Sequence, residues 1–236
     1  MSTTSRFWVE EYRKKAAAPD PITQSGRSDR FDLSRLLHVV RQMLRLLDVR
    51  PVHDLLDVGC ANGLVDIVLG GCCRSVLAIE PVEELAALAR KNLRACPNVT
   101  VEIARGDSIP SVDSRFDRAL VLEVIQLVPP DEARRMFREL RRVIRPAGRI
   151  VIGSVPDARR RDQFLVPYLK EVREAAHLTD GQKQAILARN QNAYWYDAED
   201  LMAWWRELGG EPRVLAPSDG DPANDHRYHV VVDILV

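Results

Sequence analysis

Short apolar runs and amphipathic stretches alternate along the middle of the chain. The apolar runs predict strands at residues 54–58, 75–79, 99–104, 118–122 and 149–155. Apolar residues spaced three and four apart predict intervening helices that start at residue 64 and cover residues 82–95 and 131–144. Strands this apolar, separated by helices, indicate a parallel sheet covered on both faces.

The flanks of this region have different patterns. Residues 1–30 are polar, and a short helix there would place Trp8 and Tyr12 on one face. An apolar stripe predicts a helix over residues 33–47. After Pro156, the sequence predicts a mostly helical stretch at 157–193, a helix at 197–208 and final strands at 211–216 and 228–236.

This organisation predicts a single domain over residues 1–236, because no internal repeat or second core is evident. Its parts are, in chain order, an N-terminal helical cap at 1–50, a core at 51–155, a helical insertion at 156–196 and a C-terminal helix with two strands at 197–236. A length of 236 residues with 46% apolar residues suits one α/β domain.

Charge and composition narrow the function classes. The 34 basic and 34 acidic residues cancel, which disfavours a general nucleic-acid binder. No apolar stretch reaches the roughly 18 residues that a membrane span needs, and the N-terminus lacks the apolar core of a signal peptide. The four cysteines form no Cys-x-x-Cys pair, so we expect reduced thiols, no metal and a cytoplasmic protein.

A turn of small residues follows the first predicted strand, with the sequence Asp57-Val58-Gly59-Cys60-Ala61-Asn62-Gly63. Small residues let a ligand approach the backbone closely, and the next helix aims its free N–H groups at that ligand. A nucleotide-like cofactor is expected there in an open α/β sheet. The Gly-x-Gly-x-x-Gly fingerprint of dinucleotide oxidoreductases fits poorly, because Ala61 and Leu64 stand where it needs glycine.

The turn resembles the first motif of class I S-adenosylmethionine-dependent methyltransferases, Asp/Glu-x-Gly-x-Gly-x-Gly. Asp57, Gly59 and Gly63 match this motif, and Ala61 replaces the middle glycine. The resemblance implies a seven-stranded Rossmann-like sheet, mostly parallel with an antiparallel edge strand. It also implies an N-terminal helical segment and a helical insertion after strand five. The implied cofactor is S-adenosyl-L-methionine, with its methionine end on the turn.

Three further segments follow in the order typical of this family. Glu80 ends the second strand, where a carboxylate can accept both ribose hydroxyls. After strand three, Asp107 is expected to accept from the adenine amino group, with Ser108 nearby. The last segment follows strand four and includes Glu123. The expected cofactor-binding residues are Asp57, Gly59, Cys60, Ala61, Gly63, Glu80, Pro81, Gly106, Asp107, Ser108 and Glu123.

The candidate catalytic bases are Glu123 and His38. Glu123 follows an apolar strand and is expected near the reacting methyl group, although a strand-end acid can equally face solvent. His38 lies on the apolar helix at 33–47, where a partly buried histidine that is already hydrogen-bonded is the commoner explanation. Gln126 stands where many relatives carry histidine, which disfavours a histidine base at that position.

Substrate-facing residues are expected from the N-terminal segment and the insertion. The candidates are Trp8, Tyr12, Tyr168, Trp195 and Arg160. Each aromatic residue can instead be ordinary packing, and the arginine can belong to a solvated face.

The leading functional prediction is transfer of a methyl group to a small-molecule acceptor, with oxygen as the expected atom, by direct in-line displacement in a biosynthetic pathway. An RNA or protein methyltransferase and a non-catalytic cofactor-binding protein remain alternatives. A DNA acceptor is disfavoured, because Glu123-Val124-Ile125-Gln126 replaces the Asn/Asp-Pro-Pro-aromatic motif of DNA amino-methyltransferases. No membrane partner is expected, and a monomer and a homodimer are both open.

Overall fold

The computed structural model describes residues 2–25, 33–216 and 225–235. The helices are α1 Thr3–Ala16, α2 Pro21–Gln24, α3 Leu33–Leu47, α4 Leu64–Gly70, α5 Glu83–Asn92, α6 Pro130–Val143, α7 Arg161–Glu174, α8 Asp180–Asn192 and α9 Ala198–Glu207. The strands are β1 Asp54–Val58, β2 Ser75–Ile79, β3 Val99–Glu102, β4 Phe116–Leu122, β5 Ile144–Pro156, β6 Gly210–Leu215 and β7 Arg227–Ile234.

The seven strands form one sheet in the order β3-β2-β1-β4-β5-β7-β6. Neighbours from β3 to β5 pair in parallel, whereas β7 is antiparallel to both β5 and β6. The predicted fold class is therefore confirmed, with β7 as the antiparallel strand and β6 outside it at the edge. The carboxyl ends of β1 to β5 meet at one edge of the sheet, where the amino end of β7 also lies.

The start of β5 differs from the sequence prediction. Proline, alanine and glycine at 146–148 suggested that a helix closes there, but β5 already begins at Ile144. Ile144 pairs with Phe116, and the register shifts before Arg118 pairs with Arg149. The irregular residues thus form a bulge inside the strand. A bulge and a loop use the same residue types, so the sequence alone does not distinguish them.

Both faces of the sheet are covered, as the apolar strands predict. One buried cluster joins the sheet to α3, α4 and α5, and the other joins it to α6 and α9. Leu55 and Leu56 are fully buried in opposite clusters, because neighbouring side chains on a strand point to opposite faces. None of the described helices combines the length and apolar character needed to cross a bilayer.

Helix α1 connects the core to the insertion. The Trp8 indole N–H donates to the carbonyl of Asn192, 3.1 Å away, at the end of α8. Glu11 forms an ion pair with Arg189 of α8, with 2.9 Å between the charged atoms. These contacts hold the N-terminal helix across the carboxyl edge of the sheet.

Candidate active site

A cavity lies at the carboxyl edge of the sheet and has an empty volume of about 1130 Å³, including its open mouth. The turns after four parallel strands contribute the wall residues Asp57, Gly59, Cys60, Ala61, Glu80, Pro81, Gly106, Asp107, Leu122, Glu123 and Val124. The sequence motifs therefore meet in one place, as expected for strand ends at a shared edge.

The turn after β1 is fixed by its backbone. The N–H groups of Gly59 and Cys60 both donate to the carbonyl of Ile79, at 2.8 and 3.1 Å. Gly59 and Ala61 have φ angles of 82° and 49°. Ala61 thus adopts the left-handed conformation that glycine adopts more easily, so it keeps the turn at a conformational cost.

Gly59 has no room for a side chain. A Cβ atom there would lie 2.4 Å from Cγ2 of Val124, which follows β4. The first and fourth segments of the site are therefore packed directly against each other. Gly106 is similarly confined, because its Cβ would lie 2.8 Å from the sulfur of Met136.

Glu80 joins the second strand to this turn. Its side chain is only 5% exposed, and its two carboxylate oxygens accept from the backbone N–H groups of Ala61 and Val82, at 3.0 and 2.9 Å. Burial raises the pKa of Glu80 to about 7, and the two N–H groups offset part of that rise. A carboxylate offers about four acceptor positions, so each oxygen keeps capacity for another donor.

A nucleoside fits this arrangement. Two neighbouring oxygens with unused lone pairs, in the wall of a cavity, match the two adjacent hydroxyls of a ribose. Asp107 also lines the cavity. Its carboxylate accepts from Arg105 Nε at 2.8 Å, and Arg135 lies 3.6 Å away, so both arginines orient it.

Asp57 lies beside a second buried carboxyl group, Asp66 of α4. Burial raises the pKa of Asp66 well above its usual range, and the nearby carboxyl group of Asp57 raises it further. Asp66 therefore favours its protonated, uncharged form beside Asp57. Sequence reasoning did not single out Asp66; an acid on the inward face of an apolar helix was the available signal.

Glu123 follows β4 in an unusual backbone conformation. Its φ is 56°, and its N–H donates to the carbonyl of Gly153 at 3.1 Å. A non-glycine residue in this conformation costs on the order of 1–3 kcal/mol, and such strain clusters at functional sites. In this conformation Glu123 lies in the cavity wall.

Helix α1 closes one side of the cavity through Ser5, Trp8, Val9 and Tyr12. Its start is held by Glu132 of α6, which accepts from the Ser2 N–H at 2.9 Å and from the Ser5 hydroxyl at 2.7 Å. Burial alone would raise the pKa of Glu132, but these bonds and that of Arg105 bring it down to about 2. Glu132 was missed from the sequence, because a first-turn acid also suits an exposed helix start.

Several expected site residues lie outside the cavity wall: Gly63, Ser108, His38, Tyr168, Trp195 and Arg160. His38 is on the exposed side of α3, because this helix buries the stripe that includes Leu36 and Val40. Gly63 caps α4 with a φ of 79°. The structure therefore does not bring His38 together with Glu123.

The insertion residues form an aromatic cluster instead. Tyr168 stacks on Phe164 with ring centroids 5.4 Å apart, and Trp195 packs on the same ring at 6.0 Å. Arg160 is exposed and donates to the carbonyl of Asp225. Among the residues that the structure describes, no group of three or more histidine, cysteine or acidic side chains is arranged to hold a metal ion.

Residues 55–148 match a family model described as a methyltransferase domain. A protein-L-isoaspartate O-methyltransferase from Rhodopseudomonas palustris (strain BisA53) is 36% identical over 93 residues, or 39% of this chain and 43% of that protein. The enzyme of the same name from Methanopyrus kandleri is 28% identical over 179 residues, or 72% and 74% of the two chains. Unlike the Methanopyrus kandleri enzyme, the first curated relatives are matched over less than half of their own length.

Solved structures agree with the fold. The N-methyltransferase NodS from Bradyrhizobium japonicum WM9, in complex with S-adenosyl-L-homocysteine, has a TM-score of 0.67 at 17% identity and covers 96% of this chain and 97% of its own. Phosphoethanolamine N-methyltransferase 1 from Haemonchus contortus has a TM-score of 0.75 at 13% identity over all of this chain and 50% of its own. At these identities the likeness establishes the Rossmann-like methyltransferase fold.

Proposed function

The chain carries a class I S-adenosylmethionine-dependent methyltransferase domain at residues 55–148, and on that premise we propose that it methylates an oxygen of a small-molecule acceptor. One observation carries the proposal. A single cavity, which α1 closes from one side, contains both the nucleoside-matching carboxylate of Glu80 and the strained acid Glu123.

Each group of cofactor-binding residues is assigned to a different part of the cofactor. The turn at Gly59 to Ala61 holds the methionine end, and the carboxyl group of Asp57 in the same wall faces its ammonium group. Glu80 accepts from the ribose hydroxyls, and Asp107 accepts from the adenine amino group. When bound, S-adenosylmethionine supplies a methyl carbon that its positively charged sulfur makes electrophilic.

The chain's own contribution to the reaction is orientation and proton removal. Holding two reactants in line accounts for much of the acceleration that such a displacement needs. Glu123 follows the strand next to the turn, and its carboxylate removes the proton of an acceptor hydroxyl as that oxygen becomes the nucleophile. Trp8 and Tyr12 exclude water from one side of the cavity.

The position of α1 over the cavity is evidence for a small acceptor. Trp8 and Tyr12 lie on this helix, and Leu127 and Val128 belong to the same cavity wall. An intact protein or RNA needs an open approach to the methyl group, which α1 obstructs while it stays bound to Glu132. A protein acceptor is the second candidate, because protein-L-isoaspartate O-methyltransferases are among the relatives.

A labelling experiment separates these candidates. The protein and a methyl-labelled donor are incubated with a cell extract divided into small molecules, proteins and RNA. We expect label in the small-molecule fraction, and we expect Glu123→Gln to lower the rate by a larger factor than it lowers affinity for S-adenosylhomocysteine. Glu207→Gln, at an exposed position of α9, is the matched control. Label confined to protein or RNA, or no transfer to any fraction, would contradict the proposal.

A further inference from the structure

Arg227 begins β7 at the carboxyl edge of the sheet, close to Glu123. Because β7 is antiparallel to β5, its first residue lies beside the end of that strand. Arg227 Nη1 donates to the carbonyl of Ser154 at 2.7 Å, while the N–H of Glu123 donates to the preceding carbonyl, that of Gly153. Glu123 and Arg227 therefore flank the same two residues of β5.

The orientation of this guanidinium is fixed on two sides. Its Nε donates to Nε2 of His226 at 3.2 Å, and the His226 ring stacks on Phe164 with centroids 3.7 Å apart. The register between β5 and β7 breaks between Ile152 and Val155, and Ser154 has a φ of 61°. Bulges of this kind redirect backbone groups near active sites, and here the carbonyl of Ser154 meets the arginine.

These two bonds use two of the five N–H donors of the guanidinium. Among the described residues, Arg227 forms no ion pair with a carboxylate, although part of its surface stays accessible. Burial lowers the pKa of Arg227, and the nearby Glu123 and Tyr12 raise it in part. A partly buried cation that pairs with no carboxylate among the described residues favours an anionic ligand.

The neighbours of Arg227 connect it to the acceptor end of the cavity. Glu123, which flanks the same two residues of β5 as Arg227, is a residue of the cavity wall, and Arg227 lies next to it without lining the cavity itself. The planar fork of an arginine matches a carboxylate in a two-point contact.

We propose that Arg227 binds a carboxylate of the acceptor, which makes the acceptor a small hydroxy acid. Its hydroxyl faces Glu123 and its carboxylate pairs with the unused N–H donors of Arg227. This inference rests on the proposed function and narrows the acceptor class. It assigns Arg227 a role in specificity, and Glu123 keeps the role of base.

Binding of benzoate tests this assignment without requiring turnover. The protein is saturated with S-adenosylhomocysteine and titrated in a calorimeter with benzoate, and then with benzamide, which has the same shape but no charge. We expect benzoate to bind at least tenfold more tightly than benzamide. Arg227→Gln is expected to remove that preference, and Arg227→Lys to retain part of it, because lysine keeps the charge without the fork.

The matched control is Arg206→Gln, at an exposed position of α9 whose guanidinium contacts only the sulfur of Met202 among the bonds described. It should bind benzoate as the unaltered protein does. Equal binding of benzoate and benzamide, or an undiminished preference in a folded Arg227→Gln or Arg227→Lys variant, would overturn the inference. Methyl transfer to neutral acceptors alone would also overturn it while leaving the proposed function intact, whereas failure to bind S-adenosylhomocysteine would remove the proposed function itself.

Discussion

The backbone N–H of Ala61 donates a hydrogen bond to Oε2 of Glu80 across 3.0 Å. This bond ties the glycine-rich turn after β1 to the acid that ends β2, two features separated by 19 positions in the sequence. Its geometry depends on the left-handed conformation of Ala61, whose φ is 49°. The two halves of the expected nucleoside site are thus held in register before any ligand binds.

Replacement of Glu80 with glutamine should weaken cofactor binding. Loss of hydrogen bonds to a charged acceptor costs about 1.5–3 kcal/mol, which corresponds to roughly a ten- to hundredfold higher Kd for S-adenosylhomocysteine. Calorimetric titration measures this change, with Glu207→Gln as the control. An unchanged Kd would remove Glu80 from the ribose site.

The same carboxyl group predicts how binding depends on pH. The pKa of Glu80 is raised to about 7 by burial, and donors from the ribose favour its ionised form. Affinity should therefore be highest above pH 7 and fall by up to about tenfold per pH unit below it. In Glu80→Gln this dependence should disappear. A profile that is equally steep in both proteins would show that another group is responsible.

Gly59→Ala should destabilise the protein and prevent cofactor binding. The new methyl group would lie 2.4 Å from Val124 Cγ2, in a backbone conformation with φ of 82°. Overpacking of this kind costs about 1–3 kcal/mol. Denaturant unfolding measures the loss, and Val124→Ala in the same chain should restore part of it by removing the clash. Gly181→Ala, at a helical position with no neighbour within 4 Å of the added atom, should be neutral or stabilising.

Glu132→Gln should release α1 from the core. Because its folded pKa is lowered to about 2, Glu132 contributes stability above pH 4.5 that is lost as the pH falls through 2. The shift corresponds to at most about 3 kcal/mol at neutral pH. Hydrogen exchange should then accelerate in α1 while the sheet stays protected. Unchanged hydrogen exchange in α1 would show that the docking of this helix through Ser2 and Ser5 does not depend on Glu132.

Asp66→Asn should change the pH dependence of stability without loss of cofactor binding. The raised pKa of Asp66 means that its contribution is full below pH 3.8 and declines as the pH rises toward the folded value. As the pH rises above 3.8, the free energy of unfolding should therefore fall less steeply in the variant than in the unaltered protein, by up to about 1.4 kcal/mol per pH unit. Identical slopes would contradict a raised pKa for Asp66 in the folded protein.

The sequence predicted the elements that local patterns define. The bounds of β1, β2 and α3 agree with their apolar runs and stripe, and the four motif segments meet at one cavity as the resemblance implied. The contacts that complete the site were not predictable in this way. Ser5 meets Glu132 across 127 positions, and Arg227 meets Ser154 across 73. Such pairs follow from the order of the strands and the docking of the helices, which the local periodicity of a sequence does not predict.

The most direct test of the account is a crystal structure with bound S-adenosylhomocysteine. We predict the ribose hydroxyls within hydrogen-bond distance of the Glu80 carboxylate and the sulfur between Gly59 and Glu123. A nucleoside bound elsewhere on the chain, or oriented with its ribose away from Glu80, would contradict it.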